Sequence, residues 1–145
     1  MVIEAFTATG AALSGIWFNQ HGSELRLDVD ALGRISGSFR SHRGLAKPTE
    51  PCRVTGFTAG ALITFAVDFG RYDSLTAWTG HHLVEAGEER ISACWHMAVG
   101  ISGRNAALEI WRGVWTGEDE FRRRPFGAPI ENARRLGSHP VPQWP

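Results

Sequence analysis

The amino-acid sequence predicts an all-β protein, in which eight antiparallel strands close into an up-and-down barrel. Apolar runs are short and alternate with polar residues at period two, and 17 glycines are spread through the 145 residues, as is typical of strands joined by tight turns. Helical spacing of apolar residues is confined to a short stretch near 128–136. An open meander would expose two strand edges, and closure into a barrel removes both.

The first predicted strand lies in residues 14–23 and ends in a tight turn. Its apolar residues are β-branched or aromatic, whereas residues 19–22 have the composition of a turn. Asn19 and Ser23 flank this turn, so both short polar side chains can point into the space that the strands enclose. Such a pair at a barrel mouth suits a small polar head group.

Alternation and turn residues define the strands that follow. In residues 23–30, leucine and valine alternate with charged residues, which predicts an antiparallel strand with one solvated face. The turn at 31–33 leads into a strand at 34–41, and a proline-bracketed loop follows at 42–51. The later strands, joined by hairpin turns at Ala59-Gly60 and Ala86-Gly87 and by loops at 70–73 and 99–105, are predicted at 52–58, 61–69, 74–84, 89–98 and about 107–122.

The chain has the length of one domain with a single core. We predict an N-terminal extension at 1–13, a barrel at 14–121 and a basic, proline-rich tail at 122–145 that is mobile or peripherally docked. Eight strands enclose an interior that is either filled by side chains or just wide enough for one small ligand.

Charge and hydropathy exclude several classes of partner. Fifteen basic residues balance 15 acidic ones, so the molecule has no overall field that attracts nucleic acid or an anionic membrane. No apolar run approaches the roughly 18 residues of a membrane span. No Lys or Arg precedes Arg26, so the N-terminus lacks the positive start of a signal peptide. For Arg122–Arg124, a solvated strand end is favoured over a phosphate contact.

Neither a metal site nor a catalytic site is predicted. His81 and His82 are poor co-ligands because adjacent strand residues point to opposite faces, and His96 adds no third ligand. No Ser-His-Asp or Cys-His arrangement lies in a recognisable motif, so we expect no enzyme activity and no cofactor. The cysteines, Cys52 and Cys94, lack metal or redox spacing, and their apolar surroundings predict buried free thiols.

Five stretches of the sequence resemble, in the same order, the avidin and streptavidin family of biotin-binding barrels. Any one stretch alone would be weak evidence, but together they cover residues 14–121. The resemblance implies an eight-stranded barrel that binds biotin non-catalytically and with high affinity, and it suggests a secreted or periplasmic location. The matching stretches are GIWFNQHGS at 15–23, GRISGSFRS at 33–41, TAWTG at 76–80, ISACW at 91–95 and the segment from Trp111 to Phe121.

The resemblance assigns the polar residues to parts of biotin. Asn19 and Ser23 correspond to donors to the ureido oxygen. Asp119 and Ser41 correspond to the acceptors for the two ureido N–H groups. Thr76 corresponds to a hydroxyl that points at the ring sulfur. Each polar atom of the ureido ring would therefore have a partner of opposite hydrogen-bonding character.

The resemblance also assigns the residues around the rest of biotin. Ser74 corresponds to a hydroxyl near the valerate carboxylate, with the backbone of 42–47 as its helper. Trp78, Trp95 and Phe69 correspond to aromatic walls, whose planar rings bury the thioether and alkyl chain at low entropic cost.

The resemblance also predicts an oligomer. Trp111 corresponds to an aromatic residue that contacts the ligand of the neighbouring subunit across an interface. Its presence favours a homotetramer, with a dimer that shares this residue as the alternative. Trp115 and Thr116, by alternation along the last strand, are candidates for a further interface.

Three departures from the family pattern bear on affinity. Phe39 stands where the family usually has a Tyr whose hydroxyl is a third donor to the ureido oxygen, and losing such a bond costs about 1–3 kcal/mol. Phe69 replaces a commoner Trp, and the loop before Ser74 is shorter than in most relatives. We expect binding to survive all three.

Three alternatives remain open. An avidin-like barrel with weakened affinity for biotin could bind another small ligand or its own tail, since Trp144 is an apolar residue in a polar segment. A lipocalin-like carrier would need a wholly apolar interior, which the inward polar side chains oppose. A filled barrel without a pocket is opposed by the small residues Ser41, Ser74 and Thr76.

Overall fold

The computed structural model describes residues 4–5, 10–42, 50–101 and 113–127. In these ranges eight antiparallel strands form a closed barrel, as predicted, and a ninth strand of two residues pairs with the end of one of them. The strands are β1 Glu4–Ala5, β2 Gly15–Asn19, β3 Glu24–Val29, β4 Arg34–Arg40, β5 Cys52–Ala59, β6 Leu62–Phe69, β7 Ser74–Glu85, β8 Glu88–Val99 and β9 Val114–Arg122.

Each barrel strand from β2 to β9 pairs with the next one along the chain, and β9 pairs back with β2 to close the barrel. The turn between β7 and β8 is Ala86-Gly87, as predicted, with φ angles of 51° and 77°. Two left-handed residues are what a two-residue type I′ hairpin requires. The turn predicted at Ala59-Gly60 is shifted by one residue, because β5 includes Ala59 and β6 begins at Leu62.

The first part of the predicted last strand, 107–112, lies outside the described residues, as do the tail from 128 onwards and its Trp144. Both helices in the described ranges are short 3-10 segments, Gly10–Leu13 and Gly70–Tyr72. Neither is long and apolar enough to cross a membrane.

Strand alternation places the core inside the barrel. On β3, Leu25, Leu27 and Val29 are buried and the charged residues between them face outward, as the period-two pattern predicts. The interior is rich in aromatic rings, and the indole of Trp78 stacks on Phe65 with ring centres 5.1 Å apart. Other buried aromatic residues are Trp17, Phe39, Phe69 and Phe121.

Arg123 lies against the end of the barrel where β2 begins. Its guanidinium is 3.8 Å from the centre of the Trp17 ring, and it donates to the backbone carbonyl of Ser14 and to Glu89. The prediction that Arg122–Arg124 is a solvated strand end was therefore wrong for Arg123, although the residues on either side of it are exposed. Cation–π and charge-assisted contacts hold this side chain in place.

His82 is buried at the same end of the barrel, whereas His81 is exposed, as alternation requires. The Nε2 atom of His82 lies 3.1 Å from Oε1 of Glu89. Burial lowers the pKa of His82, a shift that Glu89 opposes. The polar groups at this end therefore have protein partners of their own.

The two cysteines are free thiols, but they differ in exposure. Cys52 is buried as predicted, whereas Cys94 is exposed, so the prediction of a buried thiol was wrong for Cys94. The reason lies in the alternation along β8: Ala93 is buried inside the barrel, and the next residue must therefore point outward.

Candidate functional site

Buried polar side chains are few in this barrel, and most coincide with the residues that the sequence singled out. Among the described residues seven polar or charged side chains are buried, and only His82 was not among the predicted site residues. The other six are between 3% and 6% exposed. They come from β2, β7 and β9 and from the residues next to β3 and β4: Asn19, Ser23, Ser41, Ser74, Thr76 and Asp119.

The turn after β2 orients Asn19 and Ser23. The Oδ1 atom of Asn19 accepts hydrogen bonds from the backbone N–H groups of His21 at 3.0 Å and Ser23 at 2.9 Å. Gly22 takes the positive φ of 81° that this turn needs. Because both turn bonds use the oxygen of the Asn19 carboxamide, its NH₂ group is the part left to act as a donor elsewhere.

Ser23 is oriented in a similar way. Its Oγ atom accepts a hydrogen bond of 2.9 Å from the backbone N–H of His42, which follows β4. A hydroxyl that already accepts keeps its proton for donation. Asn19 and Ser23 therefore present two hydrogen-bond donors, a set that suits a carbonyl oxygen.

Asp119 is the hydrogen-bond acceptor of the site. Its Oδ2 atom accepts from Nε1 of Trp78 at 2.8 Å, and its Oδ1 atom accepts from Nε2 of Gln20 at 2.9 Å. Side-chain hydrogen bonds from Asn19 and Trp95 also favour its charged form. Burial nevertheless raises the pKa of Asp119 to about 6, because desolvation of the carboxylate outweighs these bonds.

Ser74 and Thr76 carry hydroxyl groups that have no partner in the part of the chain that the structure describes. Both Oγ of Ser74 and Oγ1 of Thr76 are buried, and neither has a hydrogen-bond partner among the described residues. Buried polar atoms in native proteins are nearly always paired, and an unpaired one costs about 1–3 kcal/mol. Adjacent inward positions of β7 thus present two hydroxyl groups that could form hydrogen bonds with a polar ligand.

Aromatic rings surround these polar groups. The ring centre of Phe39 lies 5.7 Å from that of Phe69 and 5.4 Å from that of Trp78, so Phe39 bridges the two. All three side chains are at most 4% exposed. The structure thus brings the predicted wall residues Phe69 and Trp78 together, with the ring of Phe39 between them. Trp111 lies outside the described residues.

Trp95 is half-buried and lies across β9. It pairs with Gly117, where an added Cβ atom would be 2.4 Å from Cζ2 of the indole. Only a glycine leaves room for the ring at this position. Gly117 lies in one of the five matching segments of the sequence, and no role was predicted for it.

Gln20 and Phe65 were also missed by the sequence analysis. Gln20 is a polar residue in a turn, and such residues are common in turns. Its contacts with β9 become visible only in the folded structure. Phe65 has the same alternation signal as any core residue, and its stacking on Trp78 follows only from strand register.

In the described ranges, no cluster of three or more His, Cys, Asp or Glu side chains is arranged to bind a metal ion.

Comparisons with known proteins give one consistent result. The sequence pattern of the Avidin family matches residues 7–124. Xenavidin has 25% sequence identity to the chain and a TM-score of 0.68, over 77% of this chain and 97% of that protein. The rhizavidin–biotin complex has 27% identity and a TM-score of 0.64, over 86% and 99% of the two chains. Apo shwanavidin has 25% identity and a TM-score of 0.62, over 75% and 97%.

Proposed function

Because the chain belongs to the avidin family, we propose that it binds biotin non-catalytically and with high affinity inside the barrel. The observation that carries this proposal is the set of buried polar groups at one site: donors on Asn19 and Ser23, an acceptor on Asp119, and hydroxyls on Ser74 and Thr76 that are unpaired among the described residues. A ureido group needs donors to its oxygen and acceptors for its N–H groups. The site has both kinds of partner.

The mechanism is preorganised binding. The Asn19 and Ser23 donors are oriented by backbone hydrogen bonds before any ligand arrives, so little side-chain entropy is lost on binding. Trp78 and Phe69 provide apolar walls for the thioether ring and alkyl chain. The complex of rhizavidin with biotin, a protein of the same fold, supports the choice of ligand.

Thermal unfolding with and without excess biotin tests the proposal. A ligand that binds only the folded state stabilises it by about 2.7 kcal/mol at a concentration of 100 times Kd. We expect a large upward shift of Tm, followed by a competition assay to determine affinity. An unchanged Tm at saturating biotin would mean that the barrel is built for a different ligand.

Thr76→Val locates the site within the barrel. It exchanges the unpaired hydroxyl for a methyl group of similar size, and we expect biotin affinity to fall by about tenfold. Thr55→Val is the matched control, because Thr55 is exposed on the outer face of β5. Equal affinities of the two variants would place biotin elsewhere.

We further propose that the protein is a homo-oligomer, a tetramer or a dimer, with Trp111 completing the site of a neighbouring subunit. The outer face of β6, β7 and β8 supports a second copy as the partner, because its charged outward residues lie only toward the strand ends: Asp68, Glu85, Glu88 and Arg90. A groove of about 600 Å³ lies on this face, lined by Leu62, Thr79 and Cys94 among others, with Glu118 of β9 at its side. The other outward residues of these strands include Leu62, Thr64, Ala66, Leu75, Ala77, Thr79, His81, Ser92, Cys94, His96 and Ala98.

Molar mass by light scattering tests the assembly. We expect Thr79→Arg to lower the mass, because it places a charge in the middle of this face, away from the charged residues at the strand ends. Ser36→Arg, on the outer face of β4, is the control and should keep the mass of the unmodified protein. A monomeric unmodified protein would contradict the proposal.

A further inference from the structure

The ladder between β2 and β9 closes the barrel and is short. It consists of the residue pairs Phe18–Arg122 and Asn19–Phe121, whereas β9 pairs with β8 over the whole stretch from Val114 to Arg122. Since β2 ends at Asn19, it has no strand residue beside the part of β9 that precedes Phe121. Asp119 lies in this part.

The carboxamide of Gln20 occupies the position of the missing strand. Its Oε1 atom accepts from the backbone N–H of Glu120 at 3.0 Å, and its Nε2 atom donates to the backbone carbonyl of Glu118 at 3.0 Å. The side chain therefore bonds to β9 as the peptide group of a neighbouring strand would. The second hydrogen of Nε2 is directed to Oδ1 of Asp119 at 2.9 Å.

Three of its partners set the orientation of the carboxamide, and its Nε2 atom also lies 3.4 Å from Nε2 of His21. In the flipped orientation, NH₂ would face the N–H of Glu120, and the oxygen would face both the carbonyl of Glu118 and the carboxylate of Asp119. All three contacts would then be repulsive. The hydrogen-bond network thus specifies which atom of Gln20 faces the carboxylate.

We infer that Gln20 is a positioning residue for Asp119: it holds the β9 backbone on both sides of Asp119 and directs one carboxylate oxygen. The inference rests on the proposed function, in which Asp119 is the acceptor for a ureido N–H. With Gln20 on Oδ1 and Trp78 on Oδ2, both oxygens are held before a ligand binds. A preorganised acceptor loses less freedom on binding than a rotating one.

Charged groups near Asp119 also affect the titration of its carboxyl group, so they must stay unchanged when Gln20 is replaced. The Nε2 atom of His21 lies 3.9 Å from Oδ1 of Asp119, and Glu118 and Glu120 flank it along β9. The side chains that donate hydrogen bonds to the carboxylate are all neutral: Asn19, Gln20, Trp78 and Trp95.

The test uses Gln20→Ala in the full chain, with Asp30→Ala as a matched control. Asp30 is also an exposed turn residue whose side chain makes three hydrogen bonds, but it lies in the β3–β4 turn at the other end of the barrel. The first readout is the titration of the Asp119 carboxyl carbon by NMR without ligand. The second is biotin affinity at pH 8.

For Gln20→Ala we expect Asp119 to titrate at higher pH than in the unmodified protein and biotin affinity to fall by about tenfold, since a hydrogen bond to the charged form is lost. Gln20→Glu is nearly the same size but places a charge beside the carboxylate, so its loss of affinity should be larger. This order of effects separates hydrogen bonding from packing.

Two results would overturn the inference: an unchanged Asp119 titration in Gln20→Ala, or an equal change of both readouts in Asp30→Ala. If the unmodified protein does not bind biotin, the proposed ligand is wrong. The carboxyl titration would still decide whether Gln20 controls Asp119.

Discussion

Biotin affinity should weaken as pH falls through the pKa of Asp119. Burial raises this pKa from an ordinary value of 3.8 to about 6, so the carboxyl group of the free protein is protonated at pH 5. A protonated carboxyl group is a poorer acceptor for a ureido N–H. A ligand that requires the ionised form should lose roughly tenfold in affinity at pH 5 and about 100-fold at pH 4.

The same shift has an opposite effect on the stability of the free protein. Because the folded-state pKa of Asp119 is raised, its contribution to stability is complete below pH 3.8 and is lost as pH rises through about 6. The difference between these two pKa values corresponds to about 3 kcal/mol at neutral pH. Ligand binding and ligand-free stability should therefore respond to pH in opposite directions at this residue.

Competition binding between pH 8 and pH 4 measures the effect. The ligand should be a biotin amide, which lacks the valerate carboxylate and so does not titrate in this range. Asp119→Asn provides the control: it should bind more weakly at pH 8, by about 10- to 100-fold, and its affinity should not depend on this pKa. Equal pH profiles for the two proteins would refute the role of Asp119 as an ionised acceptor.

Three further predictions follow from other contacts. Phe39→Tyr should raise biotin affinity by about 10- to 100-fold in the competition assay, because it restores a donor inside the pocket; unchanged affinity would show that the hydroxyl finds no ligand atom. Arg123→Ala should lower the free energy of unfolding, measured in urea, by about 2–4 kcal/mol, because the Trp17 ring and the backbone carbonyls of Ala12 and Ser14 lose the guanidinium group. Biotin affinity should stay the same. Gly117→Ala should displace the indole of Trp95 and weaken binding with little change in molar mass, which titration calorimetry and light scattering would check.

The barrel could be predicted because its signals are local, whereas most residues of the candidate site were assigned from the resemblance to the avidin family. Period-two alternation marks which side chains point inward, and turn residues such as Ala86-Gly87 mark where the chain reverses. The same alternation would have placed Cys94 outward, and the error came from judging its surroundings by composition instead of by face. Asn19 and Ser23 were found because they flank one recognisable turn.

The amino-acid sequence by itself determined the strand order and the closed barrel, because alternation and turn chemistry act between neighbours in the chain. It also indicated Asn19 and Ser23 as a polar pair, whereas Ser41, Ser74, Thr76 and Asp119 were assigned from the resemblance to the avidin family. Tertiary structure alone decided that Gln20 bonds to Asp119 and that Arg123 bonds to Ser14, contacts that span 99 and 109 residues. Such contacts depend on barrel closure and strand register, which bring the first and last strands together. No local sequence pattern indicates which residues so far apart in the chain come into contact.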